Sequence, residues 1–195
     1  MPAGAPIVRA TLADRDVVAE VLASAFADDP VFSWLYPDRR RVARLRLLFG
    51  ALAAHAITSG HTYLTADGAT VALWSAPHSW KVPVPTLLRA APRIVASAGV
   101  RLPRVLRRLS ELEGHHARAP QDHWYLEFIG TRRSAQGRGH GSRLLADGID
   151  RCDSPIYLDT PNPRTLPFYR RAGFTVTEEL SFPTGPPQWA LWRQA

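Results

Sequence analysis

Cysteine, lysine and methionine are almost missing from this chain of 195 residues. Cys152 is the only cysteine, so no disulfide can form within the chain, and we expect a cytoplasmic protein. No run of 18 or more uncharged apolar residues is present, and the N-terminal MPAGAPIVRATLADRD lacks the pattern of a signal peptide, so we expect no membrane span. The seven histidines show no metal-ligand spacing, and we expect no metal site.

Acidic residues are fewer than basic ones, and the net charge is +7 with an isoelectric point near 10.4. Lys81 is the only lysine among 24 basic residues. Such a charge favours an anionic partner, and a nucleic-acid-binding domain is one function class to weigh. Interspersed acidic residues and the absence of interleaved aromatics in the basic tracts disfavour that class.

The order of predicted elements is typical of a mixed β-sheet with helices on both faces. Strands are predicted over 7–11, 61–67, 68–77, 122–131, 156–160, 174–182 and 187–194, and helices over 12–29, 38–60, 140–150 and 162–173. Asp67-Gly68 predicts a hairpin turn between the second and third strands. An arginine-rich helical insertion at about 80–120 holds two short helices, bounded or kinked by Pro92 and Pro103, within one domain of residues 1–195.

The stretch SAQGRGHGSRLL, residues 134–145, places three glycines where a predicted strand leads into the first residues of a predicted helix. Backbone N–H groups at a helix N-terminus bind phosphate or pyrophosphate, and glycine lets the anion approach the main chain. The spacing fits neither the Walker loop nor the dinucleotide-binding fingerprint. A flexible turn without a ligand is the plain alternative.

Two motifs in this order resemble the GNAT superfamily of N-acetyltransferases. Gln136-Gly137-Arg138-Gly139-His140-Gly141 is similar to the family's pyrophosphate signature, and NPRTLPFYRRAGF is similar to its second motif. The resemblance covers residues 122–180 closely, whereas 80–120 departs from it. It implies an α/β fold with a central, mostly antiparallel sheet of six or seven strands, and acetyl-coenzyme A as co-substrate. The implied coenzyme-binding residues are Ile129, Gly130, Thr131, Gln136, Gly137, Arg138, Gly139, His140, Gly141, Ser142, Asn162 and Tyr169.

The resemblance also implies a reaction, the direct transfer of an acetyl group to a primary amine in a ternary complex. Tyr169 is the candidate general acid for the leaving thiolate, with aromatic packing as the alternative. Glu127 is the candidate general base, because strand alternation predicts that it shares a face with Ile129. It could instead pair with an arginine or face solvent. A module on the same fold that binds acyl-coenzyme A without turnover is the competing function.

The acceptor amine is not identified by the sequence. Asp28 and Asp29 are placed by the resemblance near the acceptor pocket, although a DDP sequence also ends helices in solvent. Four aromatic residues are further candidates to line that pocket: Trp34, Tyr36, Trp74 and Trp80. We hypothesise that the insertion caps the acceptor site. Either a monomer or a homodimer fits these observations.

Overall fold

The computed structural model describes residues 5–120 and 122–194, and these ranges contain one sheet of seven strands in the order β1-β2-β3-β4-β5-β7-β6. The strands are β1 (Ile7–Arg9), β2 (Thr62–Thr65), β3 (Thr70–Ser75), β4 (Trp124–Thr131), β5 (Ile156–Thr160), β6 (Thr175–Leu180) and β7 (Gln188–Arg193). Every neighbouring pair is antiparallel except β4 and β5, which run parallel. The predicted fold class, a mixed and mostly antiparallel sheet, is confirmed.

Seven α-helices lie within the described ranges, at α1 (Arg15–Ala25), α2 (Pro30–Leu35), α3 (Arg41–Ser59), α4 (Val84–Ala98), α5 (Leu102–His116), α6 (His140–Ile149) and α7 (Leu166–Arg171). The single helix predicted over 12–29 is wrong at its end. Asp29 instead caps a new helix, α2, by accepting hydrogen bonds from the N–H groups of Val31 and Phe32. Pro92 lies inside α4 and does not end it, whereas Pro103 occupies the first turn of α5.

The two larger of three apolar clusters in the described residues lie on opposite faces of the sheet and are called the first and second cores. Helices α1, α2, α3 and α4 contribute to the first, together with Leu73 and Phe128 of the sheet, whereas α6 and α7 pack on the second, which includes Trp74 and Leu126. Among the described residues one helix, α3, is long and apolar enough to cross a membrane by length and composition. Its apolar side, including Phe49, is buried in the first core, as in a core helix of a globular protein.

The insertion is fixed to the rest of the molecule by partly buried hydrogen bonds. In α4, the Ser97 carbonyl oxygen accepts from Arg44 Nη1 at 2.6 Å, and the Ser97 hydroxyl donates to the Arg44 carbonyl at 2.8 Å. In α5, Arg108 is only 1% exposed, and its Nη2 donates to the carbonyl oxygens of Thr184 and Pro186 at 3.0 and 3.1 Å. The insertion therefore joins the first core to the loop between β6 and β7.

Arg108 also lies between two aromatic rings. Its guanidinium carbon is 3.8 Å from the ring centre of Phe182 and 5.1 Å from that of Trp34 on α2. Gly185 makes this packing possible, because a Cβ atom there would lie 2.5 Å from Arg108 Nη2 and 2.9 Å from Trp34. The arginines of the insertion are thus not all on a solvated face.

Substitution by alanine should have opposite effects on stability at two helical glycines. An added Cβ at Gly148 of α6 would lie 2.4 Å from the buried Trp74 ring, whereas at Gly114 of α5 nothing lies within 4 Å. We expect Gly148→Ala to lower the free energy of unfolding by about 1–3 kcal/mol through overpacking. Gly114→Ala should raise it by about 0.5–1 kcal/mol, since alanine favours the helix. Urea unfolding followed by circular dichroism measures both, and equal effects would contradict this packing.

Candidate active site

Strands β4 and β5 are hydrogen bonded at their first residues and then separate. Only Trp124 with Ile156 and Tyr125 with Tyr157 are paired, although β4 continues to Thr131 and β5 to Thr160. Beyond Tyr125, β4 remains paired with β3 on its other edge. A gap therefore opens in the middle of the sheet, with backbone groups of residues 126–131 along one side of it.

A β-bulge at Glu127 changes which residues face each core. Leu126 is paired with Trp74 and Phe128 with Leu73, so Glu127 has no partner on β3. Leu126 and Ile129 consequently pack in the second core, whereas Phe128 packs in the first. The prediction that Glu127 shares a face with Ile129 is wrong, because one extra residue in a strand reverses the alternation beyond it.

Glu127 lies on the α1–α5 side of the sheet, where it accepts a short hydrogen bond from the Ser75 hydroxyl of β3. Burial raises the pKa of the Glu127 carboxyl above its ordinary value, and the Ser75 hydroxyl opposes that shift. In the described residues no arginine, lysine or histidine forms an ion pair with it. The alternative of an arginine partner is therefore not realised.

Asp159 of β5 faces the same gap from the opposite strand. Its Oδ2 accepts a hydrogen bond of 3.0 Å from the hydroxyl of Tyr125. Burial raises the pKa of Asp159 to about 6, and the Tyr125 hydroxyl opposes this shift. Sequence reasoning missed Asp159, Tyr125 and Ser75. A possible signal for the first was a carboxylate inside the otherwise apolar strand IYLDT.

Two more titratable side chains, Asp29 at the start of α2 and Tyr169 of α7, join Glu127 and Asp159. Asp29 is 8% exposed, and burial raises its pKa to about 6, with Asp159 adding to the shift. Tyr169 is 9% exposed, and burial together with the carboxylates of Asp159 and Asp29 raises the pKa of its hydroxyl above the ordinary value. The Tyr169 hydroxyl is therefore protonated at neutral pH.

The glycine-rich loop follows β4 and begins α6. Gly137 and Gly139 have φ of 78° and 79°, the left-handed region that favours glycine, and nothing lies within 4 Å of a Cβ built at either position. Gly139 is the N-cap of α6, and no side chain caps this helix. Exposed N–H groups at the positive end of a helix dipole face open space here. Such a cradle fits a pyrophosphate.

The other predicted coenzyme-binding residues surround this loop. Gln136 donates a hydrogen bond of 3.1 Å to the carbonyl oxygen of Thr131 and thereby ties the loop to the end of β4. Gly130 is required by packing, since a Cβ there would lie 2.8 Å from Ala25 of α1. Asn162 lies beyond the end of β5, where its side chain accepts from the Arg164 N–H. Arg138 and Ser142 are exposed, and His140 starts α6.

A groove continues from Ser142 between α6 and α7, with a volume of about 330 Å³. The apolar walls are Phe168, Ile149 and Leu145, and the charged lining consists of Arg171 and Arg193 together with the carboxylate of Asp150. Its position beside the loop means that a ligand with a phosphate on the loop can extend an apolar ring and a second anionic group into the groove.

The predicted acceptor residues differ in their surroundings. Tyr36 and Trp74 are buried in the two cores and cannot line an open pocket. Trp34 packs against Arg108, and Trp80 stacks on His116 of α5 at 4.2 Å between ring centres. Asp28 is exposed and pairs with Arg133. In the described ranges, no group of three or more His, Cys, Asp or Glu side chains is arranged to hold a metal.

Comparison with known proteins agrees with this geometry. Residues 51–174, more than half of the chain, match the Acetyltransferase (GNAT) family. The chain therefore belongs to the GNAT acetyltransferases, and the predicted resemblance is confirmed.

Three relatives illustrate the breadth of the similarity. An uncharacterised N-acetyltransferase of Schizosaccharomyces pombe is 24% identical over 180 residues, which cover 86% of this chain and 73% of that protein. The chain in the crystal structure of histone acetyltransferase HPA2 and related acetyltransferase from Corynebacterium glutamicum is 28% identical in sequence to this one. The two structures have a TM-score of 0.71 over 99% of this chain and 98% of that one. Arylalkylamine N-acetyltransferase 2 from Aedes aegypti is 14% identical and shares the fold, with a TM-score of 0.66 over 97% and 98% of the two chains.

The raised pKa of Asp159 predicts a pH-dependent cost to stability. A carboxyl whose pKa rises from 3.8 unfolded to about 6 folded stabilises the fold only while protonated, so its contribution is lost as the pH rises from about 4 to 6. Asp159→Asn keeps an acceptor for the Tyr125 hydroxyl without the charge. At pH 7.5 we expect this variant to exceed wild type in unfolding free energy by about 1–3 kcal/mol, with the difference vanishing near pH 4. Urea unfolding at both pH values measures this, and a difference independent of pH would contradict it.

Proposed function

We propose that this chain is an N-acetyltransferase that moves an acetyl group from acetyl-coenzyme A directly to a primary amine in a ternary complex. The observation that carries the proposal is the gap between β4 and β5. It has an anion-binding loop at one end and buried acid–base side chains along its walls.

The coenzyme side of the gap suits an elongated, phosphorylated thioester. The free edge of β4 at Ile129, Gly130 and Thr131 offers backbone groups to the amides of a pantetheine arm, as an added strand would. The N–H groups of residues 137–142 would hold the pyrophosphate, and Asn162 would contact the pantetheine. Arg171 and Arg193 in the groove between α6 and α7 suit the adenosine phosphate.

The acid and base are supplied by α7 and β4. Tyr169 would donate its proton to the leaving thiolate, since burial and two carboxylates keep its hydroxyl protonated. Glu127, through a water, would accept a proton from the amine. The backbone N–H of Ile129 or Gly130 would polarise the thioester carbonyl. Holding amine and thioester in register supplies much of the acceleration.

A covalent acetyl-enzyme intermediate has little support from the only cysteine. Burial raises the pKa of the Cys152 thiol to about 12, and its Sγ donates to the Gly148 carbonyl oxygen at the end of α6. The thiol form is a poor nucleophile. Direct attack by the amine fits the surroundings of the gap better.

The acceptor is proposed as a cationic amine that approaches from the face carrying α2 and the insertion. Asp29, Glu127 and Asp159 supply three carboxyl groups on that side, which would attract a cation. Arylalkylamines, named for the Aedes aegypti relative, belong to this chemical class. The insertion would select among amines by capping the acceptor side.

One substitution separates turnover from binding alone. Tyr169→Phe should lower the rate of thiol release by about 10²–10⁴-fold with a panel of amines, because it removes the proton donor. Its affinity for acetyl-coenzyme A by calorimetry should stay within about threefold of wild type, since phenylalanine keeps the aromatic ring and the proposed pyrophosphate-binding groups are the N–H groups of residues 137–142.

The alternatives give different results in the same experiment. A module that only binds acyl-coenzyme A would show the affinity but no thiol release from wild type with any amine. A nucleic-acid-binding domain would be indifferent to coenzyme A and would show steep salt dependence of DNA or RNA affinity. Phe174→Leu, which changes a buried ring 6.0 Å from the Tyr169 ring outside the coenzyme groove, is the control for packing effects.

A further inference from the structure

Amine acetylation at neutral pH requires the loss of two protons from the acceptor nitrogen. An alkylamine arrives as R–NH₃⁺, loses one proton before it can attack, and loses a second after the N–C bond has formed. One carboxylate holds only one of these protons until it exchanges with solvent. The proposed function, on which this inference rests, so far assigns one base, Glu127.

Asp159 is the residue best placed to take the other proton. It lies on the strand opposite Glu127 across the gap, and the Tyr125 hydroxyl that binds it is close enough to Glu127 for both carboxylates to raise the pKa of Tyr125. Asp29 is less suited, since its carboxylate accepts the N–H groups of Val31 and Phe32 at the start of α2.

Tyr169 supplies a second, independent observation. Its side chain is 9% exposed, and it lies on α7, the helix that packs on the second core. That hydroxyl is close enough to Asp159 and Asp29 for both to influence it. In the described residues Asp159 forms no ion pair, so a cationic group of a ligand would supply the missing positive charge between Asp159 and Tyr169.

We propose that Asp159 is a second catalytic carboxylate, which takes the first proton from the acceptor ammonium and later returns it to Tyr169. In the first step the N–H bond breaks and Asp159 becomes a carboxylic acid. The nitrogen lone pair then attacks the thioester carbon, and the C=O π electrons move to oxygen. Glu127 takes the second proton from nitrogen through a water.

The remaining steps restore the enzyme. As the C=O bond re-forms, the C–S bond breaks and its electron pair takes the proton of Tyr169, which leaves a phenolate. Asp159 gives its proton to that phenolate, and Glu127 releases the other proton to solvent. The sum is ammonium plus thioester going to amide, thiol and one proton, which balances.

The groups that face Asp159 influence its ionisation, which should therefore appear in the pH dependence of kcat/KM. They are Tyr125 of β4, Tyr169 of α7, Asp29 at the start of α2 and Tyr157 of the same strand. None of these is cationic, so the acceptor ammonium would be the positive charge that favours the ionised form of Asp159.

The test compares two acceptors in the full chain, using an alkylamine that wild type acetylates and its fluoroalkyl analogue, which is neutral at pH 7.5. Asp159→Asn should lower kcat/KM about 10²–10³-fold for the alkylammonium but less than about tenfold for the neutral amine, which has one proton fewer to lose. A merely structural role would reduce both rates equally. Affinity for acetyl-coenzyme A should be unchanged.

A matched pair of tyrosine variants gives a second readout. Tyr125→Phe removes the hydrogen bond to Asp159 and should move the acidic limb of kcat/KM to higher pH, whereas Tyr157→Phe, which changes the adjacent ring at 5.6 Å, should not. Equal losses of Asp159→Asn with both amines, or rates within threefold of wild type, would overturn the inference. If wild type binds acetyl-coenzyme A but acetylates no amine, the proposed function fails and this inference fails with it.

Discussion

The separation of β4 from β5 is the constraint on which the rest of the structure depends. Two parallel strands that pair at only two positions leave backbone groups unpaired along the middle of a sheet, which is costly unless water or a ligand satisfies them. The bulge at Glu127 contributes to this geometry, because it turns a carboxylate toward one side of the opening while Leu126 and Ile129 keep the second core intact.

The helices on each face have different relations to the gap. On one face α6 presents the glycine-rich loop and α7 presents Tyr169, so both elements bring groups suited to the coenzyme. On the other face α2 brings Asp29, and the insertion is held by Arg108 against Trp34 and the β6–β7 loop. A sheet opened in its middle suits the proposed function, in which two substrates would enter from opposite faces and meet at one point.

Local sequence rules predicted the glycine-rich loop but not the surroundings of Glu127, Asp159 and Arg108. The left-handed conformation of Gly137 and Gly139 was predictable because it favours glycine, and the glycines are visible in the local sequence. The bulge at Glu127 was not, because it depends on how β4 pairs with β3. Asp159 was not predicted either, since only the fold sets its carboxylate against the Tyr125 hydroxyl of β4. Arg108 was predicted to be solvated like the other arginines of the insertion, because its burial between Trp34 and Phe182 also depends on tertiary packing.

The central claim is that the free edge of β4 and the N-terminus of α6 bind one elongated, phosphorylated thioester. Amide hydrogen exchange with and without acetyl-coenzyme A tests this directly. Residues 126–131 and 137–142 should gain protection together, by at least tenfold at saturation, because such backbone groups exchange slowly once they are hydrogen bonded. Unchanged exchange in both segments at saturating acetyl-coenzyme A would contradict the account.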